Sequence, residues 1–275
     1  MPSTEVNHRD HEYDSRLHVL LQGMQERHFW YRGRHRFLLE AVHRQTGRAI
    51  NEGGARHVVD LGGGCGGWLG YLLDGKRFEV GDVVLADSSA SALAMAAKCL
   101  PLDVERRQVD LMDLPWSHRW DLAFLLDVLE HLPDQEAILT QIRDALAPGG
   151  LLFVTVPALR CFWTWNDDVC RHLRRYCRRD FVRLASDCGF ELLDTRYFMF
   201  ILSPLLVASR FATGATTRLK SDEQRREQAL RMHSNPHPIV NGALTAMFAA
   251  ETPLGHIVRF PWGTSLMAVL RRPAE

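Results

Sequence analysis

Between Gly62 and Gly67 the run GGGCGG sets five glycines in six residues, just behind the acid of VVDL, Asp60. Glycine has no Cβ, so it accepts positive φ and lets a ligand lie against bare backbone. Where such a loop opens a helix, the unpaired N–H groups of the first turn complete a polar cradle. Two spacings fit here. Gly62, Gly64 and Gly67 satisfy the G-x-G-x-x-G of dinucleotide loops, and Asp60, Gly62, Gly64 and Gly66 satisfy D-x-G-x-G-x-G. Charge separates them, because a carboxylate at Asp60 repels a pyrophosphate and attracts an ammonium, directly or through water. The loop therefore favours a cationic nucleoside without phosphate, with Gly63 and Gly67 left to the packing of strand on helix.

Four further stretches carry chemistry. Asp87 in VVLADSS ends a second apolar run, where an acid binds ribose hydroxyls. Asp110 in QVDLMDLPW is placed to accept from an adenine amino group while the backbone N–H of Leu111 meets the ring. In HFWYRGR, Trp30 and Arg34 suit a lid over a ligand cation and its carboxylate, one by cation–π contact and the other by a bidentate guanidinium. The dense basic cluster RHLRRYCRR, read as helical, puts Arg171 and Arg175 on one face to clamp an anionic acceptor, with Trp163 and Trp165 of LRCFWTW as pocket walls.

A group that removes an acceptor proton would come from His131, in DVLEHL, or His172, with Tyr176 as an aid, because imidazole titrates near neutrality. Asp127, Glu130 and His131 stand at i, i+3 and i+4, which one helical turn would aim at a common point. The ordinary reading of that trio is a cofactor contact, a helix-end carboxylate and a pocket histidine, with a divalent metal as the alternative.

The elements that must hold these residues follow from the hydrophobic pattern. HVVDL, VVLAD, DLAFLLD and GGLLFVTVP are apolar enough for strands buried on both faces, and SASALAMAAKCL and PDQEAILTQIRDAL have helical period. Such alternation predicts a parallel sheet covered by helices, with ligands beyond the carboxyl ends of the strands. RRDFVRLASDCGF reads as a helix closed by Gly189, ELLDTRYFMF and TSLMAVLRRP as late strands. Ahead of the core, Leu17 to Val42 predicts two helices, or one bent near Gly33. The segment before the last strand is too long for a bare loop and predicts a mostly helical insertion.

Taken in order, VVDLGGGCG, LAD, VDLMDLP, LLDVLEHL and LAPGG resemble the class I S-adenosylmethionine (SAM) dependent methyltransferases, over Ala55 to about Phe200. ERHFWYRGRHRFLL, RHLRRY and PWGTSLMAV are similar to a bacterial branch with an H-F-W-F…R entry helix, an H-x-R-R-Y segment and a P-F-G-x-S final strand, whose members act on diverse small molecules. The resemblance implies an open, doubly wound α/β fold with a seven-strand Rossmann-like sheet. It divides the chain into a tail and helical cap (1–54), a SAM-binding core (55–200), a helical insertion (201–263) and a final strand (264–275). It also implies that Gly62, Gly64 and Gly66 bear on methionine and ribose, Asp87 with Ser88 on the ribose, Asp110 and Leu111 on adenine, and Asp127 on the methionyl end.

The expected reaction is methyl transfer from SAM to an oxygen, less readily a nitrogen or carbon, of a small metabolite that is anionic or apolar. An NAD(P)-dependent oxidoreductase and a non-catalytic scaffold are the alternatives. Thirty-three basic residues balance thirty-three acidic ones, so no net field points to nucleic acid. Six scattered cysteines without C-x-x-C, a polar N-terminus and no apolar run of membrane-spanning length predict a cytoplasmic protein with reduced thiols and no integral membrane segment. Oligomeric state is left open, a homodimer included.

Overall fold

The structure is a computed structural model that describes residues 23–47, 56–74, 80–209 and 235–274. The polar tail and most of the charged stretch RLKSDEQRREQALRMHSNPHP lie outside the described residues. The expected apolar runs become strands β1 (Arg56–Leu61), β2 (Val80–Asp87), β4 (Trp120–Leu126), β5 (Leu146–Pro157), β6 (Glu191–Phe198) and β7 (Ser265–Arg271), and the short polar stretch Glu105–Gln108 adds β3. The main helices are α1 (Phe29–Thr46), α2 (Gly67–Leu73), α3 (Ala90–Ala96), α4 (Gln135–Ala145), α5 (Arg178–Asp187) and α6 (Pro238–Ile257), and residues 203–209 are helical as well.

The seven strands form one sheet in the order β3-β2-β1-β4-β5-β7-β6. Successive residues of a strand feed opposite cores: in β4, Leu122, Phe124 and Leu126 join one cluster and Ala123 and Leu125 the other. That two-sided burial is why these strands read as unbroken apolar runs. The strand order reverses between β1 and β4, which pair in parallel with Asp60 beside Phe124, so the crevice outside their carboxyl ends is the switch point where open α/β sheets bind ligands. The Gly62–Gly67 loop leaves β1 there and Asp127 follows β4.

β7 departs from the parallel expectation. It runs antiparallel to both β5 and β6, with Pro157 and Phe198 opposite Ser265. The chain thus enters β7 at the end of the sheet where β5 and β6 finish.

Helix α1 is also not bent at Gly33. The break lies at residues 26–28, where the His28 ring accepts from the Trp30 N–H and starts the helix. Gly33 sits inside α1 because a Cβ there would stand 1.9 Å from Cδ1 of Phe248 on α6. The two helices are further tied by Asn241, whose side chain accepts from Phe29 N–H at 2.9 Å and donates to the Arg27 carbonyl at 2.8 Å. Gly33→Ala is therefore expected to displace Phe248 and lower stability by about 1–3 kcal/mol, read as a lower urea midpoint with an unchanged slope.

Part of the anticipated insertion is α6 itself, whose buried Glu251 accepts the backbone N–H groups of Phe200 and Ile201 at 2.9 Å each. It thereby holds the chain leaving β6. Among the described residues no helix is long and apolar enough to cross a membrane, and none of the six cysteines forms a disulfide.

Candidate active site

The loop after β1 is held from both neighbours. Gly62 N–H donates to the Ala86 carbonyl at 2.8 Å, and the Asp87 carboxylate accepts from Gly64 N–H and Ser89 N–H, each at 2.8 Å. Gly62, Gly64 and Gly66 all take positive φ, +69°, +55° and +77°, a region that costs a residue with a Cβ roughly 1–2 kcal/mol. A Cβ on Gly62 would also meet Val128, and one on Gly66 would meet Leu100. Gly63 has its own reason: a Cβ there would stand 2.4 Å from Oδ2 of Asp60.

Asp60 is 1% exposed, and neither of its carboxylate oxygens has a hydrogen-bond partner. Burial pushes its pKa up to about 7, with the Arg34 cation opposing the shift and Asp87 adding to it. A buried carboxyl left without a partner is costly. A cation or donor lying against the glycine loop would complement it.

Across the crevice, Asp127 adopts φ +56°. Its Oδ2 accepts from Arg34 Nη1 and from Thr155 Oγ1 at 3.1 Å. Arg34 is 5% exposed and lies over the Trp30 and Tyr31 rings at 5.0 and 5.3 Å. The guanidinium thus docks α1 onto the end of β4, where the sequence suggested a lid arginine open to a ligand carboxylate. Asp110 lies two residues beyond β3, and its Oδ1 accepts Met112 N–H at 2.9 Å in a tight turn. Ser88, Leu111 and Trp30 are half-buried along the same strand ends.

Two local geometries differ from the expected ones. Asp127, Glu130 and His131 do not share an α-helical face, because a left-handed Asp127 precedes a short 3-10 turn, Leu129–His131. The basic stretch is not helical before Arg178, and Arg171 itself has φ +58°. Arg175 is therefore no free clamp: it donates twice to Asp167, at 2.8 and 3.1 Å, and once to the Ala158 carbonyl. Trp163 donates its indole N–H to Asp168 at 2.9 Å, and Trp165 opens the short helix Trp165–Val169 half-buried.

Of the three expected proton-handling groups, Tyr176 is buried with its hydroxyl near the Leu129 carbonyl, 3.2 Å, and Gln135 Oε1, 3.0 Å. Burial raises its pKa above the ordinary phenol value, so it acts as a structural donor. Tyr176→Phe is expected to cost about 1–2 kcal/mol of stability while leaving the turnover number unchanged, read by urea unfolding beside an initial-rate assay.

His131 and His172 do meet, with ring centroids 5.0 Å apart. Burial and the neighbouring His172 pull the pKa of His131 down to about 3, so it is neutral. His172 Nδ1 lies 2.9 Å from Asp167 Oδ1, and its Nε2 lies 4.0 Å from Glu130. Thr155 and Asp167 are residues to which sequence reasoning gave no role in the site: Thr155 stands within the strand run GGLLFVTVP, 28 residues from its partner, and Asp167 five and eight residues from its partners.

A seven-strand sheet with this order, a glycine loop after β1 and acids at the ends of β1, β2 and β4 at the switch point defines the class I nucleoside-binding α/β proteins. Residues 25–195 match the family described as a methyltransferase domain, and the chain belongs to it, among the class I SAM-dependent methyltransferases. It is 38% identical over 103 residues to a trans-aconitate 2-methyltransferase of Azoarcus sp. (strain BH72), covering 38% of this chain and 40% of that one. To the enzyme of the same name from Acidovorax sp. (strain JS42) it is 33% identical over 156 residues, 54% of this chain and 57% of that one. The chain thus spans about two fifths to three fifths of the length of these relatives. Its fold is similar to that of phosphoethanolamine N-methyltransferase 2 of Haemonchus contortus in complex with SAM, with a TM-score of 0.51, 18% identity, and coverage of 80% of this chain and 49% of that one.

Proposed function

We propose that this protein transfers a methyl group from SAM to an oxygen of a small anionic metabolite, a carboxylate in the first instance. The observation that carries the cofactor half is Asp60, a buried carboxyl without a hydrogen-bond partner against a glycine loop at the switch point. Asp60 would take the methionine ammonium, and the bare backbone of Gly62, Gly64 and Gly66 would let the methionine and ribose approach. Asp87 with Ser88 would face the ribose, Asp110 and Leu111 the adenine, and Asp127 with Arg34 and Trp30 the methionyl end. A nicotinamide dinucleotide is disfavoured, because its pyrophosphate would stand beside Asp60.

Bound there, SAM supplies an electrophilic methyl on a sulfonium, which leaves as a neutral thioether once an acceptor atom displaces it. The protein's share is alignment and charge. α1 would cover the crevice, held there by the Arg34–Asp127 pair. An ionised carboxylate acceptor brings its own lone pair and needs no base, which suits a site where Tyr176 is a structural donor and burial, with His172 beside it, leaves His131 a weak base. The acceptor class is supported by the trans-aconitate 2-methyltransferases to which the chain is similar.

The test supplies SAM with an isotopically labelled methyl to the purified protein with a panel of small di- and tricarboxylic acids, and follows the products by mass spectrometry. Labelled, base-labile esters are expected. Label appearing solely on amines or carbon would refute the oxygen assignment, and failure to bind SAM or its demethylated product by calorimetry would refute the whole reading.

A further inference from the structure

We propose that Glu130, His131 and His172 bind one divalent transition-metal ion of the Zn²⁺ type beside the methyl-transfer crevice. Each residue offers a ligand atom, and these atoms all lie within 4.8 Å of one another. Glu130 is 1% exposed and its Oε2 has no hydrogen-bond partner, so the fold has placed a carboxyl where a cation is the missing complement. The trio differs from the one that the linear spacing suggested. Asp127 is already taken by Arg34 and Thr155, and His172 replaces it from a segment about forty residues downstream.

The surroundings of the two imidazoles have the form that metal-binding histidines need. A ligating histidine donates its other ring N–H to a carboxylate or backbone carbonyl, which fixes its tautomer and aims its lone pair at the ion. His172 Nδ1 lies 2.9 Å from Asp167 Oδ1, and Arg175 holds that carboxylate in place at 2.8 and 3.1 Å. The Nε2 lone pair of His172 is thereby presented toward Glu130, 4.0 Å away. The His131 ring is hydrogen-bonded to the backbone of Arg171. Leu173 N–H donates to the Glu130 carbonyl and ties the two segments together, and His172 N–H donates to the Asp167 carbonyl within the second, both at 2.9 Å. The donors thus stay near one another without an ion.

Two nitrogens and one carboxylate favour zinc or a similar borderline ion over the oxygen-seeking Mg²⁺ and Ca²⁺. In a tetrahedral shell with bonds of about 2.1 Å, donors stand about 3.4 Å apart, so closure asks for side-chain rotation of roughly an ångström. Three protein ligands leave a position open. Resting on the methyl-transfer reading, that position is assigned to an oxygen of the acceptor, whose negative charge the ion would hold and orient. Ion binding itself does not depend on that reading.

The test uses the full chain, stripped with EDTA, dialysed, and kept free of SAM. It is titrated with Zn²⁺ by calorimetry and with Co²⁺ by visible absorption. One ion per chain with a Kd at or below about 1 μM is expected, together with Co²⁺ d–d bands that Zn²⁺ abolishes. Glu130→Gln and His172→Gln are each expected to weaken Zn²⁺ binding by at least ~10-fold, with circular dichroism showing both folded. Should His172→Gln fail to fold, the near-isosteric Glu130→Gln carries the comparison alone. Absence of stoichiometric Zn²⁺ binding by the wild type would overturn the site, as would wild-type affinity in the folded variants, which would place the ion elsewhere, for instance on a cysteine. SAM binding is titrated separately on the stripped protein. Zinc binding without SAM binding would remove the methyl-transfer reading and leave the ion site standing.

Discussion

Asp60→Asn is expected to stabilise the ligand-free protein at pH 8 and at the same time weaken SAM binding by about a hundredfold or more. Both effects follow from one buried carboxyl. Its folded pKa, about 7, lies above the ordinary 3.8, so the native state holds a proton that the unfolded chain has already released. Stability from this group is fully present below about pH 4 and is lost as pH rises toward 7. At ~1.4 kcal/mol per pH unit the gap amounts to about 4 kcal/mol. The variant lacks that slope and keeps the neutral form at every pH.

Binding shows the opposite sign. An ammonium beside Asp60 needs the carboxylate, so wild-type affinity should climb through pH 5 to 7, with a proton released on binding at pH 6. Removing one partner of a buried pair costs about 3–5 kcal/mol, well over a hundredfold. Chemical denaturation from pH 4 to 8, with calorimetry of SAM in buffers of different ionisation enthalpy, reads both. Equal SAM affinity in the two proteins, or a stability slope unaltered by the substitution, would remove Asp60 from the cofactor site.

Arg34→Leu is expected to lower stability by about 3–5 kcal/mol, since it strips the cation from a buried pair. The guanidinium pairs directly with Asp127 and also lowers the pKa of Asp60 and Glu130. Its loss therefore leaves three acids at the strand ends less compensated, and α1 loses its bond to the end of β4. Adding Asp127→Asn to Arg34→Leu should restore a good part of the stability by removing the stranded charge, whereas Asp127→Asn alone should destabilise. A double-mutant cycle in urea measures that coupling. A loss below about 1 kcal/mol for Arg34→Leu, or additive single effects, would show that the pair does not anchor the helix.

The linear sequence was enough for the alternation of strands and helices, the glycine loop, and the acids that end β1, β2 and β4. Each of these is a local property: a strand buried on both faces needs an unbroken apolar run, and a loop at positive φ needs glycine within a few residues of its helix. The same locality explains where sequence reasoning went astray. It made an α-helical turn of Asp127 to His131 and a helix of the arginine cluster from i, i+3 and i+4 spacing alone. In the fold, Asp127 is left-handed because its backbone and side chain are both bound to Thr155 of β5, and Arg175 points inward because Asp167 and the Ala158 carbonyl await it. Gly33 looked like a bend, and the ring of Phe248, more than two hundred residues away, makes it a packing contact.

What the sequence by itself determined is thus the class of fold and the crevice in which a nucleoside can lie. Only the tertiary structure decided which charges are already paired, which among the described residues leaves both oxygens of Asp60 and one of Glu130 buried without a hydrogen-bond partner, and brought His172 to the side of His131. The physical reason is that pairing of buried charge is settled between segments that meet only after the sheet has formed. Spacing along the chain reports which side chains share one helix or strand, and carries no record of which distant group will reach them first.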